Sequence, residues 1–291
     1  MTCILCDGKK LRILSHWLRN SETIKVEKCQ TCGLVQLNPI PESDQIKKAY
    51  NTERISIPRK NIKDIKIKEE LSKRDTVYNS KLVKSIISRK AKILDYGCGY
   101  GFFVKEMLEE GFNISGMDIS DIRLATARAF CKNAIFFTNE EEIPHNYFDC
   151  LTLFHVLEHT PNPLIFLGSI KQYVKKGGKI IIEVPNLDDH LLKISNEYKD
   201  FYWKKEHIFY FNKKTLTKYV NLAGLSVVKV VYFQRWNITN YINWLIRKEP
   251  QDIEEILVSE REKNIKWLDG FYKRYLEKNE VSDALIFICQ K

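Results

Sequence analysis

Four cysteines stand as two C-x2-C pairs, Cys3 with Cys6 and Cys29 with Cys32, about 20 residues apart. Thiolates at that spacing meet at one tetrahedral ion, and Gly33 permits a tight turn after the second pair. The pattern predicts a structural Zn2+ in a zinc ribbon, with sulfur at all four positions and none left for substrate or water. A second set of residues is Asp95-Tyr96-Gly97-Cys98-Gly99-Tyr100-Gly101, directly after Ile93-Leu94. Three alternating glycines strip side chains from one bend, so that a ligand can lie on bare main chain. A helix starting near Phe102 turns its positive end toward that ligand. Asp118 closes the next apolar run, Phe112 to Met117, where nucleotide-type folds place the carboxylate that grips two ribose hydroxyls. The bend is not a dinucleotide fingerprint, because Phe102 fills the position that close helix–strand packing reserves for Gly or Ala. No Lys-Ser or Lys-Thr pair follows the glycines, which excludes a Walker-type phosphate cradle.

Histidines supply the remaining chemistry. His155-Val156-Leu157-Glu158-His159 spells H-x-x-E-H, a zinc-protease signature whose two histidines must share one helix face. Here the segment follows the apolar run Cys150–Phe154 and ends at Thr160-Pro161-Asn162-Pro163. That leaves little helix, and no second metal site is expected. Glu206-His207-Ile208-Phe209-Tyr210-Phe211 holds a histidine among aromatics, ahead of a helix over Thr215 to Ala223.

The elements that must position these groups alternate. Strands over Ile93–Tyr96, Asn113–Met117, Ala134–Phe137, Cys150–Phe154 and Lys179–Val184 are interleaved with helices from about Phe102 to Glu110, Asp121 to Cys131 and Pro163 to Val174. That order specifies an α/β fold, a doubly wound parallel sheet with right-handed crossovers. Leu225–Phe233 and Ala284–Cys289 are the last two strands, separated by an aromatic, charged and helical insertion at about 235–281. The insertion is either a cover for the substrate pocket or a subunit interface, the latter implying a homodimer. The predicted division is a ribbon over 1–40, a helical cap or linker over 41–90 with breaks near Pro58 and Asn61, and a core over 91–291.

The eight cysteines suit a reducing compartment. No apolar run approaches the roughly 18 residues of a membrane span, and the N-terminus lacks a signal peptide's apolar core, so a cytoplasmic protein is expected. Residues 1–90 hold 20 Lys and Arg against 10 Asp and Glu, whereas the remainder holds 27 of each. The whole formal charge of +10 therefore lies ahead of the glycine bend. It is either a solvated surface or a basic wall for an anionic partner.

The acidic strand end followed by G-x-G-x-G resembles motif I of class I S-adenosylmethionine-dependent methyltransferases. The Phe148-to-Pro163 phrase, with its Leu157-Glu158-His159 triplet before a proline-rich turn, is similar to the fourth-strand region of that superfamily. The resemblance implies a Rossmann-like sheet with an antiparallel last strand and S-adenosyl-L-methionine as cofactor. It places Asp95, Gly97, Gly99 and Gly101 around the cofactor, Asp118 on its ribose, Ile119 on the adenine face and Asn139 beside the adenine amino group. Phe154 and His155 are placed near the sulfonium. The segment with Glu206, His207 and Tyr210 resembles the one that lends a His, and sometimes a Glu-His pair, to the acceptor side of small-molecule methyltransferases. His207 is then the expected base, with His155 a substrate contact. A four-cysteine ribbon joined to this core is known from sugar C-methyltransferases, which carry a further C-terminal domain; this sequence ends at the last core strand, which leaves oxygen and nitrogen acceptors open beside carbon. The expected activity is methylation of a small, anionic acceptor, a nucleotide-linked sugar or surface-glycan precursor, in carbohydrate biosynthesis. The alternatives are an RNA methyltransferase that holds a phosphate backbone on the basic zinc module, and a non-catalytic scaffold.

Overall fold

The structure is a computed structural model that describes residues 2–19, 21, 23–42, 65–261 and 265–291. Three strands open the chain: β1 (Leu11–Ser15), β2 (Lys25–Cys29) and β3 (Val35–Asn38). They pair antiparallel in order and carry the two cysteine pairs at one end. Helix α1 (Ile65–Lys84) follows; the expected breaks at Pro58 and Asn61 lie outside the described residues.

Alternation then sets in. β4 (Lys92–Tyr96), α2 (Phe102–Glu109), β5 (Asn113–Met117), α3 (Asp121–Phe130) and β6 (Phe136–Phe137) form one half. β7 (Phe148–Phe154), α4 (Pro163–Ile170) and β8 (Val174–Pro185) form the other. After β8 come α5 (Leu191–Ile194), α6 (Asn196–Tyr202), β9 (Phe209–Tyr210), α7 (Lys213–Leu222) and β10 (Ser226–Phe233). The insertion is helical, as α8 (Ile238–Ile246), α9 (Ile253–Arg261) and α10 (Lys266–Lys278), and β11 (Ala284–Gln290) closes the sheet.

The large sheet runs β10-β11-β8-β7-β4-β5-β6. Pairs among β4 to β8 are parallel, and β11 runs antiparallel to both β8 and β10. Its centre is covered on both faces, which explains why Ile180, Ile181 and Ile182 are all fully buried and why the strand reads as a continuous apolar run. The crossovers are held by local chemistry: Asn162 caps α4 through Ile165 N, with Pro163 at the first helical position, and Asn212 with Thr215 closes a capping box on α7.

Several boundaries differ from the sequence expectation: β6 holds only Phe136–Phe137 of the expected Ala134–Phe137, β7 starts at Phe148 rather than Cys150, and the largest shifts lie at the end of α4 and the start of β8. The helix expected to reach Val174 stops at Ile170 and tightens into a 3-10 turn over Lys171–Tyr173. The strand expected at Lys179 starts at Val174, with Gly177 inside it at a φ of 80°. Gly178 allows that bend, since a Cβ there would lie 2.6 Å from a Val174 methyl and 2.9 Å from the Asp149 carbonyl.

The ribbon does not stand apart. β9 adds to it as a fourth strand, with Val35 opposite Tyr210 and Gln36 opposite Phe209. Leu37 N donates to Ile208 O and Ile208 N donates to Glu158 O, so one row of main-chain bonds crosses from ribbon to core. Cys3, Leu5, Cys29 and Leu34 belong to the same buried apolar cluster as Leu94, Leu151 and Tyr219.

Candidate functional site

The glycine bend leaves the carboxyl end of β4, where the sheet order reverses between β4's two neighbours, β5 and β7. Doubly wound sheets open a crevice at that point. The bend is tied to the end of β5. Gly97 N and Cys98 N both donate to Met117 O, at 2.7 and 2.9 Å. Gly99 N donates to Asp118 Oδ2 at 2.8 Å, and Ser120 N donates to Asp118 Oδ1 at 2.9 Å. Asp118 is buried, and burial raises its pKa against those amide bonds and the Arg123 charge.

The three glycines are not equivalent. All have positive φ. A Cβ on Gly97 would lie 2.4 Å from a Val156 methyl, and one on Gly101 would lie 2.8 Å from Ala127 Cβ, so these two serve internal packing. A Cβ on Gly99 would meet nothing within 4 Å among the described residues. Of the three, Gly99 alone presents main chain left bare by the described residues, which narrows the expectation that all three do so.

Asp95 lies at the other side of the crevice. Thr152 on β7 donates to its Oδ1 at 2.7 Å, and burial, opposed by that bond and reinforced by Asp118, pushes its pKa up to about 7. Ile119 is 36% exposed at the edge. Asn139 is exposed at the start of a 3-10 turn, its amide near Glu142. The Phe154 ring packs edge-on against Phe103, at the mouth of β7.

Next to Phe154, His155 takes a φ of 57° and turns its ring into a buried charge network. Its Nδ1 lies 3.1 Å from Glu158 Oε1 and its Nε2 lies 3.3 Å from Glu183 Oε1. Burial and Arg235 push its pKa down, but Glu183 and Glu158 outweigh them and lift it to about 9. Arg235 Nη1, at 2.7 Å, can donate to Nε2 only when that nitrogen carries no proton. Protonation of Nε2 thus exchanges its partner from Arg235 to Glu183. Asn79 on α1 donates to the other Glu183 oxygen at 2.8 Å.

Glu158 is fully buried among three imidazoles. Besides His155, its Oε1 is 3.8 Å from His159 Nε2 and 3.9 Å from His207 Nε2. The H-x-x-E-H segment forms only a 3-10 turn, Leu157–His159, and the two histidines take different partners: His159 Nδ1 pairs with Glu206 O at 2.6 Å. Glu158, His159 and His207 do bring ligand-type atoms within 4.8 Å of one another, but Lys204 and Arg235 already direct positive charge at His207. His207 is buried, with Nδ1 lacking a hydrogen-bond partner among the described residues. Burial first, then Lys204 and the neighbouring histidines, hold its pKa well below the ordinary imidazole range.

His207 lines a cleft of about 320 Å³, a small-molecule volume. Its walls come from α1 (Arg74, Asp75), α6 (Tyr198, Phe201, Tyr202), the loop residue Lys204, Arg235-Trp236, the insertion (Asn240, Trp244) and Arg19 of the ribbon. Arg235 of the cleft wall lies 2.7 Å from His155 Nε2, and His155 directly follows Phe154 at the end of β7. Glu206 does not line the cleft. Neither does Tyr210, which the sequence grouped with the catalytic residues. Its hydroxyl accepts from Lys204 N at 2.9 Å and donates to Lys204 O at 3.1 Å, which secures the loop carrying Lys204.

Sequence reasoning missed Glu183, Arg235, Asn79 and Lys204. Glu183 alone had a readable signal: one carboxylate inside the run Ile180-Ile181-Ile182-Glu183-Val184 must be paired if buried.

The four cysteine sulfurs converge. Cys3 and Cys32 are 3.5 Å apart, Cys6 and Cys29 3.6 Å, and all four lie within 4.8 Å of one another. A tetrahedron with metal–sulfur bonds of about 2.3 Å has edges of about 3.8 Å, so the set fits one ion. Gly8 allows the approach, since a Cβ there would lie 3.2 Å from the sulfurs of Cys6 and Cys29.

A protein family described as "Methyltransferase domain" matches residues 71–230, more than half of the chain. The chain belongs to that family. Among curated proteins it is similar to the ubiquinone biosynthesis O-methyltransferases of Pseudomonas aeruginosa (33% identity over 104 residues) and Rickettsia canadensis (31% over 103). Each match covers 33% of this chain and 44% of the relative, so the chain spans less than half the length of these relatives. Among solved structures it resembles a SAM-dependent methyltransferase from Archaeoglobus fulgidus, with a TM-score of 0.51 at 18% identity over 75% of this chain and 94% of that one. It also resembles a Haemonchus contortus phosphoethanolamine N-methyltransferase in complex with S-adenosyl-L-methionine, with a TM-score of 0.50 at 16% identity over 75% of this chain and 52% of that one. These likenesses show the methyltransferase fold.

The glycine geometry yields a prediction. Gly99→Ala should leave the protein folded, at a left-handed-backbone cost of about 1–2 kcal/mol, and weaken S-adenosylmethionine binding at least roughly tenfold. Gly97→Ala should mainly destabilise the fold. Calorimetric titration beside thermal melts checks the contrast; equal behaviour of the two variants would contradict it.

Proposed function

We propose that this protein moves a methyl group from S-adenosylmethionine to a small acceptor bound in the cleft, and that the acceptor is anionic, such as a nucleotide-linked sugar or a surface-glycan precursor. The observation that carries this reading is His207: a buried imidazole held neutral, in the wall of a cleft whose Arg235 contacts His155 at the end of β7. The cofactor, when bound, supplies a methyl group on a positively charged sulfur. Asp118 would accept from its ribose hydroxyls while keeping the Gly99 amide, Ile119 would cover the adenine, and Asn139 would reach the adenine edge. Phe154 and His155 would face the reacting centre. With the cofactor supplying the methyl group and keeping the carbon–sulfur bonding electrons, His207 would take the proton that the acceptor atom gives up. Glu158, behind that ring, then faces an imidazolium it can stabilise. Glu206 acts through its carbonyl, which orients His159. The names of the ubiquinone-biosynthesis relatives favour an oxygen acceptor. Arginine, lysine and aromatic side chains in the cleft wall favour one that carries negative charge and a flat ring.

We further assign Zn2+ to Cys3, Cys6, Cys29 and Cys32 as a structural ion. Its role is to hold the turns of the ribbon, whose strands lie against the acceptor side through β9.

The acceptor class is tested by release of S-adenosylhomocysteine with a panel of nucleoside-diphosphate sugars and, separately, with total tRNA and rRNA. Turnover on the sugars supports the reading; turnover on RNA alone overturns it. His207→Gln should lower kcat by about 10²–10⁴-fold with unchanged cofactor affinity. A base with a depressed pKa stays unprotonated as pH falls, so wild-type kcat/KM should hold through the ordinary histidine range and fail only below it. An acid limb near pH 6.5 would assign the proton to another group. Metal analysis should give one zinc per chain, and Cys29→Ser should lose it together with a drop in melting temperature; full stability without zinc would remove the structural assignment.

A further inference from the structure

We propose that Arg19 of the ribbon and Lys204 of the β9 loop form a phosphoryl-binding subsite at one end of the cleft, so that the N-terminal ribbon completes the acceptor site. This rests on the acceptor reading above and gives it residues. Arg19 lies between β1 and β2, and its main-chain N donates to Trp203 O at 2.9 Å, beside Lys204. Its guanidinium carbon sits 4.1 Å over the centre of the Phe201 ring, a stacked pose that fixes the charge at the cleft wall. Its Nε is buried without a hydrogen-bond partner among the described residues.

The other cations of the cleft have acids at hand. Arg74 pairs with Asp75 at 2.9 Å and Arg235 with Asp283 at 3.1 Å. Lys204 makes no ion pair among the described residues. Glu206 is the acid that acts most on both Arg19 and Lys204, at longer range, and Glu158 adds to it at Lys204. Burial and the nearby Arg19 and Arg235 charges, only partly offset by those acids, push the Lys204 pKa down to about 8. A third donor lines the same cleft: the Tyr202 hydroxyl is buried with no hydrogen-bond partner among the described residues.

Two cations and a hydroxyl line one cleft with no hydrogen bond among the described residues to the Arg19 Nε or the Tyr202 hydroxyl, and the single Glu206 carboxylate nearby balances only one of the two charges, which calls for an anion with several acceptor oxygens. A phosphoryl group offers them on a tetrahedron and suits the fork of arginine together with the point charge of lysine. Tyr210 and the main-chain bond to Trp203 are then what keep the two cations together across the ribbon–core seam.

The test uses full-length, zinc-loaded protein and inorganic pyrophosphate as the probe, followed by calorimetry, with S-adenosylmethionine titrated in parallel. Arg19→Gln and Lys204→Gln should each weaken pyrophosphate binding roughly tenfold or more. Cofactor affinity should stay unchanged, which also shows that the variants are folded. Wild-type affinity for pyrophosphate should fall as pH rises through about 8 and Lys204 loses its proton. Wild-type protein that takes no pyrophosphate, variants that bind it as tightly as wild type, or malonate bound more tightly through the same two residues would each overturn the subsite. Failure of the cofactor titration in wild type would instead strike the methyltransferase reading, and is read separately.

Discussion

One short set of main-chain bonds governs this molecule. The amides of Gly97, Cys98 and Gly99 are held by the end of β5, two by the Met117 carbonyl and one by the Asp118 carboxylate. A bend with positive φ at three alternating positions would otherwise wander, since glycine has the most conformational freedom to lose. Tied in this way, it aims the start of α2 at the crevice and leaves Gly99 bare. The same carboxylate that orders the bend is the group we propose for the ribose. On that proposal order and recognition share one side chain, and burial, which raises the Asp118 pKa, is offset by the amides it accepts from.

The acceptor side depends on a second economy. Glu158 and Glu183 are buried carboxylates that share His155, a close neighbour of Glu158 in sequence but distant from Glu183, and Asn79 on α1 adds a second distant partner for Glu183. Buried charge of this kind persists only where geometry is fixed by several elements at once. Here the fixing elements are α1, β7, β8 and the seam through which Ile208 and Leu37 connect core to ribbon. His207 sits at that seam, and its unprotonated state follows from being surrounded by cations as well as buried.

Local chemistry made much of this legible beforehand. The period of apolar residues announced the parallel strands, because strands buried on both faces leave continuous runs such as Leu151-Thr152-Leu153-Phe154. The cysteine spacing pointed to the cluster that the structure brings together, and the acidic strand ends to the carboxylates beside the glycine bend, because ligand geometry constrains near neighbours in sequence. Pairings between distant residues were not legible. Arg235 looked like one charge at the mouth of an insertion, yet it lies against His155, 80 positions earlier. Tyr210 stood beside His207 in sequence and looked catalytic, but strand alternation sends its ring toward Trp203 and its hydroxyl to Lys204. The glycine trio read as one device, whereas packing against Val156 and Ala127 divides it into two structural positions and one open one. Ion partners, side-chain direction in a two-residue strand and free space beside a backbone are all products of tertiary packing.

The account stands or falls on the corner where Gly99 meets Asp118. Calorimetric titration of S-adenosylmethionine into zinc-loaded wild-type protein and into Asp118→Ala measures it most directly. Saturable one-site binding in the wild type, weakened by at least about 1.5–3 kcal/mol in the folded variant, is what hydrogen bonds to a charged group at that corner predict. Equal affinity in the two proteins would contradict it.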